Sequence, residues 1–312
     1  MPQRLRFSVI SGKTIGMKAA LLPDRGVVKV AGDDARKFLN GLLTADLGRV
    51  TPGSARFAAL LTPQGKIIVD CIVAEVAPED GAGLFLDCPR ALAPNLVERL
   101  NFYKLRAKVV IEDLSEMLGV LAAWDGEGST DYGLVYEDPR AAGLGLRVML
   151  PPHLADRAAA ELGAELVDAS AYEAHRVARG IPRGGLDFIY SDAFPHEADM
   201  DQLGGVDFDK GCFIGQEVVS RMEHRGSARN RVVPVAYDAF APEAGVPVMA
   251  GERQVGTMGS SAAGRGLAML RLDRVTEALA ADVALTAGGV PIRPVKPDWA
   301  RFTWPGEAKA AE

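Results

Sequence analysis

The sequence predicts a mixed α+β body followed by a smaller all-β terminal domain. Three observations carry that reading. The chain has 312 residues with 48% hydrophobic and 24% charged content, which allows two or three domains with filled cores. Between about residues 27 and 112, strand-length apolar runs and helix-period stretches follow one another without a repeated strand–helix–strand unit, so the order is α+β. From residue 232 onward, short apolar runs are separated by Gly and Pro at close intervals, as in an all-β domain.

Taken in order, residues 27–30 read as a strand, and Asp33 or Asp34 as the cap of a helix carrying Phe38, Leu39, Leu42 and Leu43. Residues 57–61 and 67–76 read as strands joined by the turn Thr62-Pro-Gln-Gly-Lys66. Residues 84–87 form another strand. Pro89 opens a helix to about residue 103, with Leu92, Leu96 and Leu100 on one face, and residues 107–112 return as a strand. Residues 119–150 are strands broken by Gly, Asp and Pro turns, and residues 153–163 a helix. Ser170-Ala-Tyr-Glu173 reads as a capping box opening a helix that ends at Gly180, with Pro182 beyond.

Residues 181–210 are loop-rich and hold Glu197, Asp199, Asp201, Asp207 and Asp209. That run reads either as a cation site or as a solvated acidic loop, and its spacing does not fit a calcium loop. After a short helix at 214–225 the all-β part begins, with one brief helix near 273–280. The expected divisions are 1–118, 119–230 and 231–312, the first two interleaved in space.

Net charge is −6, which argues against broad electrostatic binding to nucleic acid or an anionic membrane. Cys71, Cys88 and Cys212 are widely spaced and form no CxxC pair, so the composition fits a reducing compartment, with no disulfide framework and no zinc site made by this chain alone. Residues 1–23 carry Arg4, Arg6, Lys13 and Lys18 before the first acid, Asp24. They read as a basic first strand or an over-long start ahead of Met17, in preference to a transit peptide. Gly12-Lys13-Thr14 lacks the upstream glycine of a phosphate loop, since Phe7 stands there.

The densest chemistry is Lys210-Gly-Cys-Phe-Ile-Gly-Gln-Glu217. Cys212 lies between Gly211 and Gly215, beside Lys210 and ahead of a helix start, where unpaired N–H groups and an ammonium favour thiolate over thiol. A thiolate there serves as nucleophile, metal ligand or redox group; the alternative is a buried cysteine acting as a small hydrophobe. Glu217 and Arg221 stand i,i+4, Arg221 and Arg225 suit the C-terminal end of the helix, and Gly226 closes it. Arg221, His224, Arg225, Arg229 and Arg231 make a basic cluster suited to an anion, or a charged helix face running into a linker.

The octapeptide resembles the signature of the YgfZ family. Gly41-Leu-Leu-Thr-Ala-Asp46, Leu60-Leu-Thr-Pro-Gln-Gly-Lys66, Gly180-Ile-Pro-Arg183 and Phe194-Pro-His-Glu197 follow that family's order, and Val255-Gly256-Thr257 with Ser260 looks like its C-terminal barrel. Together they cover roughly residues 21–304. His224, Gly226, Arg229 and Arg231 look closer to its mitochondrial and alphaproteobacterial branch.

The resemblance implies a three-domain cloverleaf of the aminomethyltransferase (glycine cleavage T protein) type around a channel that binds tetrahydrofolate. It implies assembly or repair of [4Fe–4S] clusters in client proteins, with Cys212 as the working group. It implies folate contacts among Lys210, Gly211, Gly215, Gln216, Glu217, Arg221, Arg225, Asp70 and Glu197, iron–sulfur client or assembly partners, and no resident metal. The implied location is the cytoplasm of a bacterium or the mitochondrial matrix of a eukaryote. The alternative is a folate-dependent one-carbon transferase or demethylase. The related transferases carry paired carboxylates where this chain has Val69 and Asp70, which weakens that alternative. Asp199 stands where the family often has asparagine.

Overall fold

The computed structural model describes residues 16–76, 82–226 and 228–305. Residues 1–15 of the basic start, Gly12-Lys13-Thr14 among them, lie outside the described residues, and its remainder carries a strand at Lys18–Leu22. The body is two five-stranded sheets packed face to face. The chain enters through β1 (Lys18–Leu22), turns at Pro23-Asp24, and continues into β2 (Arg25–Ala31). These two strands go to different sheets.

One sheet has the order β3-β4-β5-β2-β6, with β3 at Arg56–Leu61, β4 at Ile67–Glu75, β5 at Leu84–Pro89 and β6 at Val110–Asp113. The other has the order β10-β1-β7-β9-β8, with β7 at Gly119–Trp124, β8 at Leu134–Glu137, β9 at Leu146–Leu150 and β10 at Glu165–Leu166.

Period-two alternation assigns the faces. Val69, Cys71 and Val73 of β4 point outward into a core shared with α1 (Ala35–Asn40) and α2 (Ala93–Lys104), whereas Ile72 and Ala74 point into the core between the sheets. In β7, Leu121 and Ala123 pack against α3 (Ala155–Glu161), while Val120, Ala122 and Trp124 face inward. The body is therefore layered helix, sheet, sheet, helix.

The terminal domain is a closed six-stranded barrel, β11-β14-β13-β12-β15-β16, with its own core. Its strands are β11 (Asn230–Ala236), β12 (Pro247–Ala250), β13 (Arg253–Ala262), β14 (Arg265–Arg271), β15 (Leu285–Ala287) and β16 (Val290–Pro294). Two more helices precede it, α4 (Ala169–Ala178) and α5 (Gln216–Arg225), and α6 (Leu272–Ala280) lies within it.

Several local expectations are corrected. Asp168, not Ser170, caps α4, its side chain accepting from the Ser170 N–H. Asp34 stands at the start of α1 without a side-chain bond into that helix, its Oδ2 accepting instead from the Lys108 N–H at 2.8 Å. The strand expected at 107–112 begins only at Val110, because residues 105–109 are spent leaving α2.

Candidate functional site

Polar residues interrupt the apolar strands at the interface between the two sheets. Asp87 sits on the inward face of β5, Arg147 on that of β9 and Tyr136 on β8. Both Asp87 oxygens are held, Oδ1 by Arg25 Nε at 2.6 Å and Oδ2 by Arg147 Nη1 at 2.5 Å, and the Tyr136 hydroxyl donates to Oδ2 at 3.0 Å. Arg147 Nε also reaches Asp138 Oδ2 at 2.8 Å, which Arg140 Nη2 meets at 2.6 Å. Burial pushes both carboxyls upward, but the guanidiniums outweigh it. Arg25 and Arg147 hold Asp87, and Arg140 and Arg147 hold Asp138, below the usual carboxylate range.

This framework supports a cavity of about 360 Å³ between β1, β4, α4 and the loop after α4. Five arginines line it (Arg25, Arg140, Arg147, Arg176 and Arg183) against three carboxylates (Asp24, Asp70 and Glu173), a net of +2 on a chain of net −6. Asp70 shares the inward face of β4 and accepts a hydrogen bond from the Tyr190 hydroxyl. Burial and the Asp70 charge raise the Tyr190 phenol, so it stays a donor. Arg183, at the cavity's half-exposed edge, meets Asp24 at 3.4 Å and Glu173 at 3.3 Å.

The octapeptide lies elsewhere, and none of its residues lines this cavity. It joins three of the other motif stretches around the β3–β4 turn. Lys210 Nζ donates to the carbonyls of Asn40, Leu43 and Ala45 at 2.8, 2.7 and 2.6 Å. Burial brings that ammonium down to about 8 against the pull of Asp46 and Asp207. Lys210 is thus spent on the loop after α1, which corrects the expectation that it serves Cys212. Gly215 has φ +82°, and a Cβ there would lie 2.6 Å from the Thr62 carbonyl oxygen, so only glycine lets the two backbones meet. Lys66 Nζ stands 3.4 Å from the centroid of Phe194.

Gly215 is also the cap of α5, which begins at Gln216, two residues later than expected. Cys212 therefore lies outside the helix cap, on an irregular segment before buried Phe213, and is exposed; the alternative of a buried small hydrophobe does not hold. A Cβ on Gly211 would meet nothing within 4 Å, so no packing demands glycine there.

Among the described residues, Gln216, Glu217, Arg221 and Arg225 make no side-chain hydrogen bond or ion pair, and the expected Glu217–Arg221 pair is absent. Glu197 is committed to structure, its Oε2 accepting from the Phe194 N–H at 2.8 Å and its Oε1 from Asn230 Nδ2 at 3.2 Å.

Both sequence readings of the acidic run and the basic cluster change. Arg231 is buried and pairs with Asp199 Oδ1 at 3.0 Å and with both oxygens of Asp201 at 2.9 and 2.8 Å. The cation held by this part of the acidic run is a guanidinium, and the basic cluster loses one member to it. Among the described residues Asp199 Oδ2 has no partner, and burial raises its carboxyl well above the ordinary range despite Arg231. His196, Asp201 and Glu223 offer ligand atoms within 4.8 Å of one another, but Asp201 is taken by Arg231, and His196 Nε2 bonds Glu223 Oε2 at 2.9 Å.

The arginine framework went unread because its members come from four separated stretches. One local signal marked part of it: Asp70, Asp87 and Arg147 each stand alone inside an apolar strand.

Comparison with known proteins follows the same division. Residues 229–302 match the family described as CAF17, C-terminal beta-barrel domain. The chain is 35% identical to the mitochondrial iron–sulfur cluster assembly factor IBA57 homolog of Mycosarcoma maydis, over 70% of this chain and 57% of that protein. It is 30% identical to the corresponding protein of Coccidioides immitis (strain RS), over 93% of this chain and 79% of that protein. The chain thus spans little more than half of the first relative. The glycine cleavage system aminomethyltransferase T of Bartonella henselae superposes with a TM-score of 0.70 at 17% identity, covering 93% of this chain and 88% of that one. At that identity the likeness concerns the fold, which is the aminomethyltransferase T type with a closed terminal barrel.

Proposed function

We propose that this chain, which belongs to the IBA57 family of iron–sulfur cluster assembly factors, assists assembly or repair of [4Fe–4S] clusters in client proteins through Cys212 and binds a reduced folate between its two sheets. Cys212 carries the reading: of the three cysteines it alone is exposed. Cubane clusters take four cysteine ligands, so one exposed cysteine works on a cluster only together with ligands from a partner. The cluster is cargo, and the partner is the client or another assembly protein. The relatives are mitochondrial by name. For this chain the corresponding compartment is a reducing one, the matrix or a bacterial cytoplasm, in keeping with three free thiols.

The donor set of the cavity fits a folate. A pterin presents an amino group and a ring N–H side by side, which a carboxylate such as Asp70 accepts, and its glutamate carboxylates match guanidiniums. Arg140 and Arg183 of the cavity take the tail, in place of Arg221 and Arg225, which do not line it. One-carbon transfer is the weaker reading. It calls for a second carboxylate beside Asp70, and Val69 occupies that position with its side chain in the helical layer.

Calorimetric titration with tetrahydrofolate tests the cavity. Asp70→Asn is expected to weaken binding at least tenfold and Cys212→Ala to leave it unchanged. Equal binding by Asp70→Asn would remove the folate from this cavity.

A further inference from the structure

The end of α2 carries an unusual combination. Leu105 has φ 43° and ψ −106°, a backbone region that crowds the Cβ of every residue but glycine. Its side chain is also 90% exposed. Such a backbone conformation is kept only where something offsets its cost. Burial of the leucine would offset it, and among the described residues nothing buries it. Phe102, 74% exposed and edge-on to Tyr103 with centroids 5.3 Å apart, stands one turn earlier, and Val110 is 56% exposed just after.

The setting indicates what covers these side chains. Lys104, Arg106 and Lys108 alternate through the same turn, and among the described residues none of their side-chain cations meets a carboxylate. Val110 opens β6, the last strand of its sheet, which among the described residues pairs with β2 on one side only. The turn is tied to the Cys212 region through α1. Asp34, at one end of that helix, accepts from the Lys108 N–H at 2.8 Å, and Lys210 grips the Asn40 carbonyl at the other end at 2.8 Å. A six-residue helix is about 9 Å long at 1.5 Å per residue. An ordinary interface of about 800 Å² per partner is wider than that.

We propose that Leu105 anchors a docking surface for a protein partner that offers an apolar socket rimmed by carboxylates. The proposal rests on the function above, in that the partner is the iron–sulfur protein that meets Cys212. The open edge of β6 favours a polypeptide over a membrane, because only a polypeptide can pair with its main-chain groups.

The test places a photoreactive benzoylphenylalanine at exposed Asn101 of the full chain in cells and maps the adduct by mass spectrometry. An adduct to an Asp- and Glu-rich protein segment, reduced at least fivefold by Leu105→Gly and by Arg106→Glu, is expected. Leu105→Gly should at the same time raise the unfolding midpoint, because glycine relieves the φ of this position; a contact that merely supported the fold would move the midpoint the other way. An adduct to lipid, to a second copy of this chain, or one indifferent to Leu105→Gly overturns the proposal, as does a lowered midpoint. [4Fe–4S] enzyme activity is read in the same cells. An adduct that behaves as expected while deletion of the protein leaves that activity intact would keep the docking surface and reject the function.

Discussion

The two glycines around Cys212 look alike in sequence and differ in kind. Gly215→Ala must fit a Cβ against the Thr62 carbonyl in a left-handed conformation, and is expected to cost about 2–4 kcal/mol. Gly211→Ala faces open space and should stay within about 0.5 kcal/mol of wild type. Urea unfolding of the pair checks both, and equal costs would deny the backbone contact at Gly215. The thiols should also separate. Burial pushes Cys88 up to about 12 and Cys71 well above its ordinary value, while Cys212 is exposed, so pulsed alkylation of the native protein should label Cys212 first. Labelling of Cys71 or Cys88 at the same rate would contradict the burial. At this scale the sequence showed where chemistry is dense but not which atoms are already spent. Lys210 and Arg231 both read as free charges, and each is consumed by partners far away in the chain that spacing cannot reveal.

Elements were more legible, because apolar periodicity is local and face assignment follows from it. The strands at 57–61 and 67–76, the helix closed by Gly226 and the change of character near residue 230 all appear with small shifts of boundary. The bounds of β1 within the basic start were not legible, for lack of alternation in a short, nearly uniformly apolar run. The inward polar residues of β5 and β9 make the body sensitive to acid. Asp87 and Asp138 are held below the usual range, so their stabilisation is full above about pH 4 and is lost as pH falls below it. Asp199 has the opposite sign. Its carboxyl is raised, so wild type loses stability as pH climbs above about 4, and Asp199→Asn should remove that loss. Asparagine also tolerates the φ of 55° found there. Urea midpoints of Asp199→Asn and wild type across about pH 4 to 8 should diverge with rising pH, the variant being the more stable; parallel curves would mean that Asp199 is ionised throughout. Arg147→Met leaves Asp87 with one guanidinium and Asp138 with one, and is expected to cost about 3–5 kcal/mol.

Over the whole molecule, the first hairpin does the joining. β1 pairs with β7 and β10 while β2, just beyond the Pro23-Asp24 turn, pairs with β5 and β6, so a cut after residue 118 would strip β1 from both of its neighbours. The arrangement brings Asp70, Arg147, Arg176 and Tyr190 to one cavity from four distant stretches and leaves Cys212 outside it. The cavity proposed for folate and the exposed thiol proposed for cluster work are thus separated in space. The most direct test is the [4Fe–4S] enzyme activity restored by Cys212→Ser in cells lacking the protein, with tetrahydrofolate titration of the same variant as its control. The expected result is wild-type folate binding with activity no higher than in the deletion, because a hydroxyl keeps the loop but supplies no thiolate. Full restoration of the enzymes by Cys212→Ser would contradict a working role for the thiol.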